Sequence, residues 1–170
     1  MKTAGVVVAV AVAVAVQLTM ARFMIAQGRA IDLVLVLVIY VGLAMGPLPG
    51  LFAGSAAGIA QDLLSGGLVG VGGLAKSTVG FFSGVAGQQF IVAHSVPRFF
   101  VFWLATLIQA GIVIGVYSLL DPRNLVAPYG QVLTQSLGNG LVGVLTFKII
   151  ETIPSIAERH RARRRVSRRW

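Results

Sequence analysis

The chain contains no cysteine, and only 11% of its 170 residues are charged. The absence of cysteine excludes disulfides and thiolate metal ligands. The two histidines, His94 and His160, are too few for a histidine zinc site unless carboxylates converge on them. A water-soluble domain needs a larger charged surface, whereas 56% of these residues are hydrophobic and the mean hydropathy is +0.88. The composition therefore predicts an integral membrane protein.

Six apolar segments approach the roughly 20 residues that a helix needs to cross a bilayer. Short loops with turn residues separate them, as at Gly46-Pro47-Leu48-Pro49 and Ser65-Gly66-Gly67. Consecutive helices should therefore pack antiparallel, without an inserted soluble domain. The sequence predicts an all-α membrane protein, a bundle of about six transmembrane helices, with segments at residues 4–21, 31–45, 48–64, 73–93, 99–120 and 129–150.

The first segment has a second interpretation. It follows Lys2 and ends near Thr19-x-Ala21, a pattern that is also typical of a cleavable signal peptide. Its apolar run is longer than the roughly 7–15 residues of a signal-peptide core, which favours a retained helix.

The net charge of +9 is unevenly distributed along the chain. Residues 1–157 carry seven basic and four acidic residues, whereas residues 158–170 carry seven arginines and one acid. We therefore predict a transmembrane six-helix domain, 1–157, and a basic cytoplasmic tail, 158–170. An even number of spans then places both termini in the cytoplasm, because basic residues favour that side.

The basic tail also suggests what it binds. Arg163, Arg164 and Arg165 are predicted to contact anionic lipid headgroups at the membrane surface. The tail lacks the interleaved aromatic residues that would favour binding to nucleic acid. At the start of the fifth segment, an aromatic cluster predicts an interfacial belt on the cytoplasmic side: Phe99, Phe100, Phe102 and Trp103.

Gly50, Gly54 and Gly58 recur every four residues in the third segment. Small residues at this spacing let two helix backbones approach closely in lipid. The helix that they meet belongs either to the same bundle or to a partner protein, and the sequence leaves both alternatives open. Gly80-x-x-x-Gly84 and Gly111-x-x-x-Gly115 are weaker forms of the same pattern.

Asp62 ends the third segment, and Lys76 lies early in the fourth. Each charge opposes the dipole of its own helix, so neither is explained as a cap of that helix. We predict that these two residues form an ion pair with each other or with a partner protein. Alternatively, Asp62 and Lys76 have a purely structural role and extend their side chains toward the membrane interface.

In the sixth segment, Gln131, Gln135 and Asn139 lie on one helix face. In lipid this polar face should point into the bundle, where hydrogen bonds between helices are favoured over a substrate pocket. No serine, histidine or pair of carboxylates is placed as a membrane-embedded hydrolase requires. We therefore predict a protein that is not an enzyme and needs no cofactor.

The run from Gly54 to Gly66, GSAAGIAQDLLSG, continues through Gly70 and Gly72 into Gly80-Phe-Phe-Ser-Gly84. It resembles the rod shape-determining protein MreD family, in which a small-residue helix ends in Gly-Leu-x-x-Asp, followed by Leu-Ser-Gly and a glycine-rich turn. Ile59 stands where that family has leucine, and Lys76 where it more often has an uncharged residue.

The resemblance implies a non-enzymatic inner-membrane scaffold of the bacterial elongation machinery. Such a scaffold would bind MreC and support peptidoglycan synthesis and regulation of cell shape. Further candidate partners are RodA, its penicillin-binding transpeptidase, MreB and a second copy of the chain. The resemblance also implies a fold similar to the substrate-binding subunits of energy-coupling-factor transporters. The alternative function is therefore that of a vitamin-transporter subunit, against which the few aromatic residues on the predicted outer side argue.

Overall fold

A computed structural model describes residues 31–66, 68–89, 95–120 and 129–166, with side chains as far as residue 149. All regular structure in these ranges is α-helical. The helices are α1 Leu33–Met45, α2 Pro47–Ser65, α3 Val71–Gln89, α4 Ser95–Leu120 and α5 Tyr129–Val166. They correspond to the second to sixth predicted segments, and the first segment lies outside the described residues.

The predicted breaks form because glycine and proline stand where the chain turns. Gly46 has a φ of +104°, a conformation that residues with a side chain rarely adopt, and it ends α1. Pro47 then opens α2, where its missing N–H costs no helical hydrogen bond. At the other end of α2, Gly66 is left-handed, with a φ of +71°, as is usual just beyond a helix. Gly46 is therefore the single residue that joins α1 to α2, and Gly66 marks the end of α2.

α1 is the central helix of the described bundle and contacts the other four helices. It is apolar all round, and seven of its 13 residues are buried, which is typical of a helix inside a larger assembly. α2 packs most extensively on α3, and α4 packs on α5. The core lies where α1, α3 and α4 meet, and it includes Leu35, Val36, Ile39, Val79, Phe102 and Ala105.

Phe102 corrects part of the predicted aromatic belt. Its ring is fully buried, packs edge-on against Phe147 at 6.1 Å between centroids, and covers Gly143 of α5. Phe100, by contrast, is exposed. The cluster is therefore divided between the core and the outer surface, because the two residues lie on different faces of α4.

Of the described helices, α4 alone is long and apolar enough, by length and composition, to cross a bilayer. Its 26 residues extend about 39 Å, whereas the 13 residues of α1 extend about 20 Å and a hydrocarbon core is about 30 Å thick. The all-helical prediction is confirmed for the described residues. The count of six spans and the likeness to transporter subunits remain predictions. So does the boundary at residue 157, which α5 crosses without a break.

Candidate functional site: a buried polar network and its cavity

The glycine stripe of α2 lies against α3 of the same chain. A Cβ atom added at Gly54 would overlap the backbone of Lys76, and one at Gly58 would overlap the backbone of Gly72. Gly50 meets the backbone of Gly80 in the same way. Backbone contact of this kind is possible only without side chains. Of the two alternatives for the stripe, the structure therefore places it within the bundle.

This close approach brings Lys76 of α3 next to the start of α1. Its Nζ lies 2.8 Å from Oδ2 of Asp32, and the two side chains are only 4% and 5% exposed. Oδ1 of Asp32 accepts the backbone N–H of Leu35 at 2.9 Å, which caps α1. Both charges are thus buried, paired and hydrogen-bonded, as buried ions must be.

The same aspartate connects to two further helices through its backbone. Its N–H donates to Oδ1 of Asn139 in α5 at 2.8 Å, and Nδ2 of Asn139 donates to Oγ1 of Thr106 in α4 at 3.2 Å. Thr106 donates in turn to the carbonyl of Phe102 at 2.8 Å. Asp32, Lys76, Thr106 and Asn139, the buried polar network, therefore connect α1, α3, α4 and α5.

The predicted ion pair between Asp62 and Lys76 is wrong. Lys76 pairs with Asp32, and one carboxylate oxygen of Asp62 accepts the N–H groups of Gly70, Gly72 and Gly73 at 2.9, 2.9 and 3.4 Å. The first N–H groups of a helix have no partner within it, and its N-terminus attracts negative charge. Asp62 therefore caps α3, the next helix, although it cannot cap its own.

Asp62→Ala should lower the free energy of unfolding by about 1–2 kcal/mol, the usual cost of losing a helix cap. Asp62→Asn should cost less, because an amide oxygen still accepts these N–H groups. Equilibrium unfolding in mixed micelles measures both variants. Equal losses for the two would contradict the capping role.

The polar face of α5 is divided between two environments. Asn139 is fully buried in the network, whereas Gln135 is partly buried and Gln131 is exposed. The predicted hydrogen bonding between helices is therefore seen for Asn139. Gln131 and Gln135 instead line a cavity.

This cavity has a volume of about 580 Å³ and lies at the end of the bundle that carries the turn between α2 and α3. Its lining includes Asp32 and Lys76, together with Gln61, Gln109, Tyr117 and Gln131. The hydroxyl of Tyr117 accepts the N–H of Leu68 at 3.4 Å, which links α4 to that turn. Within the described part of the chain, no three His, Asp or Glu side chains lie together as metal ligands would.

A protein-family model for rod shape-determining protein MreD matches residues 2–148. The chain belongs to the MreD family. It is thus a bacterial membrane protein with a role in rod-shape determination, and it functions with the rod-shape complex. The MreD family is a family of shape-determining structural proteins that are not known as enzymes. No curated protein and no solved structure matches the chain.

The MreD match covers the complete buried polar network and the cavity lining, but it ends before the basic tail. The side chains of Arg163, Arg164 and Arg165 lie outside the described residues, so lipid binding by the tail remains a prediction. Residues 158–166 continue α5.

Sequence reasoning missed three polar residues of this MreD site. Asp32 precedes an apolar run, the usual position of a helix cap. Thr106 and Gln109 are polar residues three apart inside the apolar α4, where lipid exposure would be costly. Each of these signals was present in the sequence. Thr106 and Gln109 together indicate a polar interior on one side of α4.

Proposed function

We propose that this MreD-family chain is a non-enzymatic scaffold in the inner membrane, where it binds MreC and supports peptidoglycan synthesis during elongation. The observation that carries this proposal is the family match over residues 2–148. RodA, its penicillin-binding transpeptidase and MreB are then partners in the same complex, with MreC as the direct contact.

The described geometry supports α4 as the surface that MreC contacts. Gly111 and Gly115 are exposed, and a Cβ atom at either position would meet no described residue within 4 Å. Leu104 and Ile108 are exposed on the same face. MreC is expected to be a single-pass protein, and small residues beside leucine-sized ones suit close packing of one membrane helix.

The polar groups of the site support a structural role. Asp32 and Lys76 neutralise each other, and Asp62 is occupied by three backbone N–H groups. A general base or nucleophile needs a free, activated group near its substrate. These residues are instead engaged in holding helices together, which agrees with a scaffold.

Affinity purification of the chain from its native membrane, followed by mass spectrometry, tests the scaffold proposal. We expect stoichiometric recovery of an MreC protein. Gly111→Leu should reduce that recovery about tenfold, because an added side chain holds the two helices apart and about 1.4 kcal/mol corresponds to a factor of ten. Ala56→Leu, which enlarges an exposed small residue on α2, is the matched control. Full recovery with Gly111→Leu would exclude α4 as the contact.

We also propose that the chain spans the membrane several times, with both termini in the cytoplasm. The support is the basic tail at residues 158–170, because basic residues favour the cytoplasmic side. In this topology the turn between α2 and α3 faces outward.

The natural absence of cysteine makes the topology directly testable. Leu68→Cys, in the exposed turn, should react with a membrane-impermeant maleimide from outside the cell. Ser167→Cys should react only after the membrane is made permeable. Labelling of the Ser167→Cys variant in intact spheroplasts would contradict a cytoplasmic C-terminus.

The cavity favours one alternative function, that of a substrate-binding subunit of a vitamin transporter. A concave site with several polar groups suits a small ligand. Recovery of ATPase subunits and a second polytopic subunit, instead of MreC, would support this alternative and exclude the scaffold.

A further inference from the structure

The cavity has the size and the accessibility of a small-molecule site. Its volume of about 580 Å³ lies within the range of about 300–1,000 Å³ that is usual for ligand pockets. Ser65, Gly66 and Gln131 line it and are exposed, whereas Asp32 and Lys76 line it and are buried. The cavity therefore extends from the end of the bundle inward to the buried polar network.

Amide groups dominate the polar part of its lining. Four of the described glutamines contribute, one from α2, one from α4 and two from α5: Gln61, Gln109, Gln131 and Gln135. The side-chain oxygens of Gln61 and Gln109 are buried without a hydrogen-bond donor among the described residues. Buried acceptors of this kind are rare, because a lost hydrogen bond to water must be replaced. Gln61 and Gln109 therefore line the cavity, and each carries a side-chain acceptor that lacks a donor.

The charges of the lining argue against an anionic ligand. Lys76 is the one cationic side chain that the described residues contribute to the lining, and Asp32 neutralises it at 2.8 Å. Asp62 adds a negative charge, and it accepts hydrogen bonds from backbone N–H groups and not from a cationic side chain among the described residues. A phosphate or carboxylate would meet a carboxylate here and no unpaired cation, so repulsion and desolvation would oppose its binding.

The lining also offers apolar contact. Val113, Ile114 and Val132 line the cavity, as does Tyr117 with its aromatic ring. Such apolar surfaces suit the face of a sugar-like ring, which exposes carbon-bound hydrogens. Amide oxygens can accept hydrogen bonds from the hydroxyl groups at the edge of that ring.

We propose that this cavity binds an uncharged molecule of about the size of a sugar, which donates several O–H or N–H hydrogen bonds to Gln61 and Gln109. This site does not depend on the identity of the protein partners. It would add ligand recognition to a chain whose family role is structural.

Ligand-detected saturation-transfer NMR on the full chain tests the proposal. The protein is held in lauryldimethylamine oxide, because sugar-based detergents would compete for the site. The probes are glucose, glucosamine and glucose 6-phosphate, which share one ring and differ in charge. We expect the strongest transfer to glucose and the weakest to glucose 6-phosphate.

Variants connect this signal to the cavity. Gln61→Leu and Gln109→Leu should each weaken glucose binding about tenfold, since each removes an acceptor without adding charge. Gln89→Leu, an exposed glutamine at the opposite end of α3, is the matched control and should bind like the unmodified chain. Thermal unfolding identifies any variant that is misfolded. If one cavity variant does not fold, the other can still be compared with the unmodified chain.

Three results would overturn the proposal. Equal transfer to glucose in the unmodified chain and both cavity variants would place any binding elsewhere. Preference for glucose 6-phosphate would indicate an anion site, and preference for glucosamine would indicate a cation site formed by Asp62. Each of these results is independent of whether MreC is recovered from the native membrane.

Discussion

Lys76→Met is expected to lower the free energy of unfolding by about 3–5 kcal/mol, the usual cost of breaking a buried ion pair from one side. The methionine is about as long as the lysine but carries no charge. The side chain of Asp32 is only 5% exposed, so its carboxylate would be buried without a cation. Equilibrium unfolding in mixed micelles measures the loss.

The double variant Asp32→Asn/Lys76→Met should recover most of that loss. It removes both charges, and asparagine caps a helix as well as aspartate does. Lys148→Met, at an exposed position of α5, is the matched control and should cost about 0–1 kcal/mol. A double variant as unstable as Lys76→Met alone would mean that the stability arises from packing of the lysine stem and not from charge pairing.

Gly54→Ala is expected to destabilise the protein by about 1–3 kcal/mol, although it adds a single methyl group. That methyl group would overlap the carbonyl group of Lys76 and the backbone nitrogen of Ser77, so α2 and α3 must move apart. The displacement also moves Lys76 relative to Asp32. Loss of helix packing and weakening of the ion pair should therefore occur together.

Gly111→Ala makes the same chemical change where no atom of the described residues lies within 4 Å of the added one. Alanine is the better helix former by about 0.5–1 kcal/mol, so this variant should be slightly more stable than the natural chain. The two substitutions are thus expected to have opposite signs in one unfolding assay. Equal effects would show that close packing at Gly54 does not limit stability.

Local chemistry made much of the fold predictable. Gly46, Pro47 and Gly66 end or begin helices by rules that depend on neighbouring residues alone. The glycine stripe of α2 also indicated close helix packing, although its spacing cannot tell which helix is the partner.

The rotation of each helix about its axis was not predictable. Asp62 and Lys76 flank one turn and neither caps its own helix, which predicts a pair with each other or with a partner protein. Lys76 instead pairs with Asp32, 44 positions away in the chain. Phe102 and Phe100 looked equivalent because both belong to one aromatic run, although Thr106, one turn beyond Phe102, is a polar residue on the buried face of α4. In α1, where no polar face defines the inside, only packing against neighbouring helices decides which side chains are buried.

The buried polar network has a consequence for how the protein is made. Asp32 leaves the ribosome 44 residues before Lys76 and 107 residues before Asn139. At bacterial rates of synthesis these partners follow about 2–9 s and about 5–21 s later. The newly made central helix must therefore remain near the membrane surface or beside the insertion machinery until α3 arrives, and its final position is fixed only after α5 has been made.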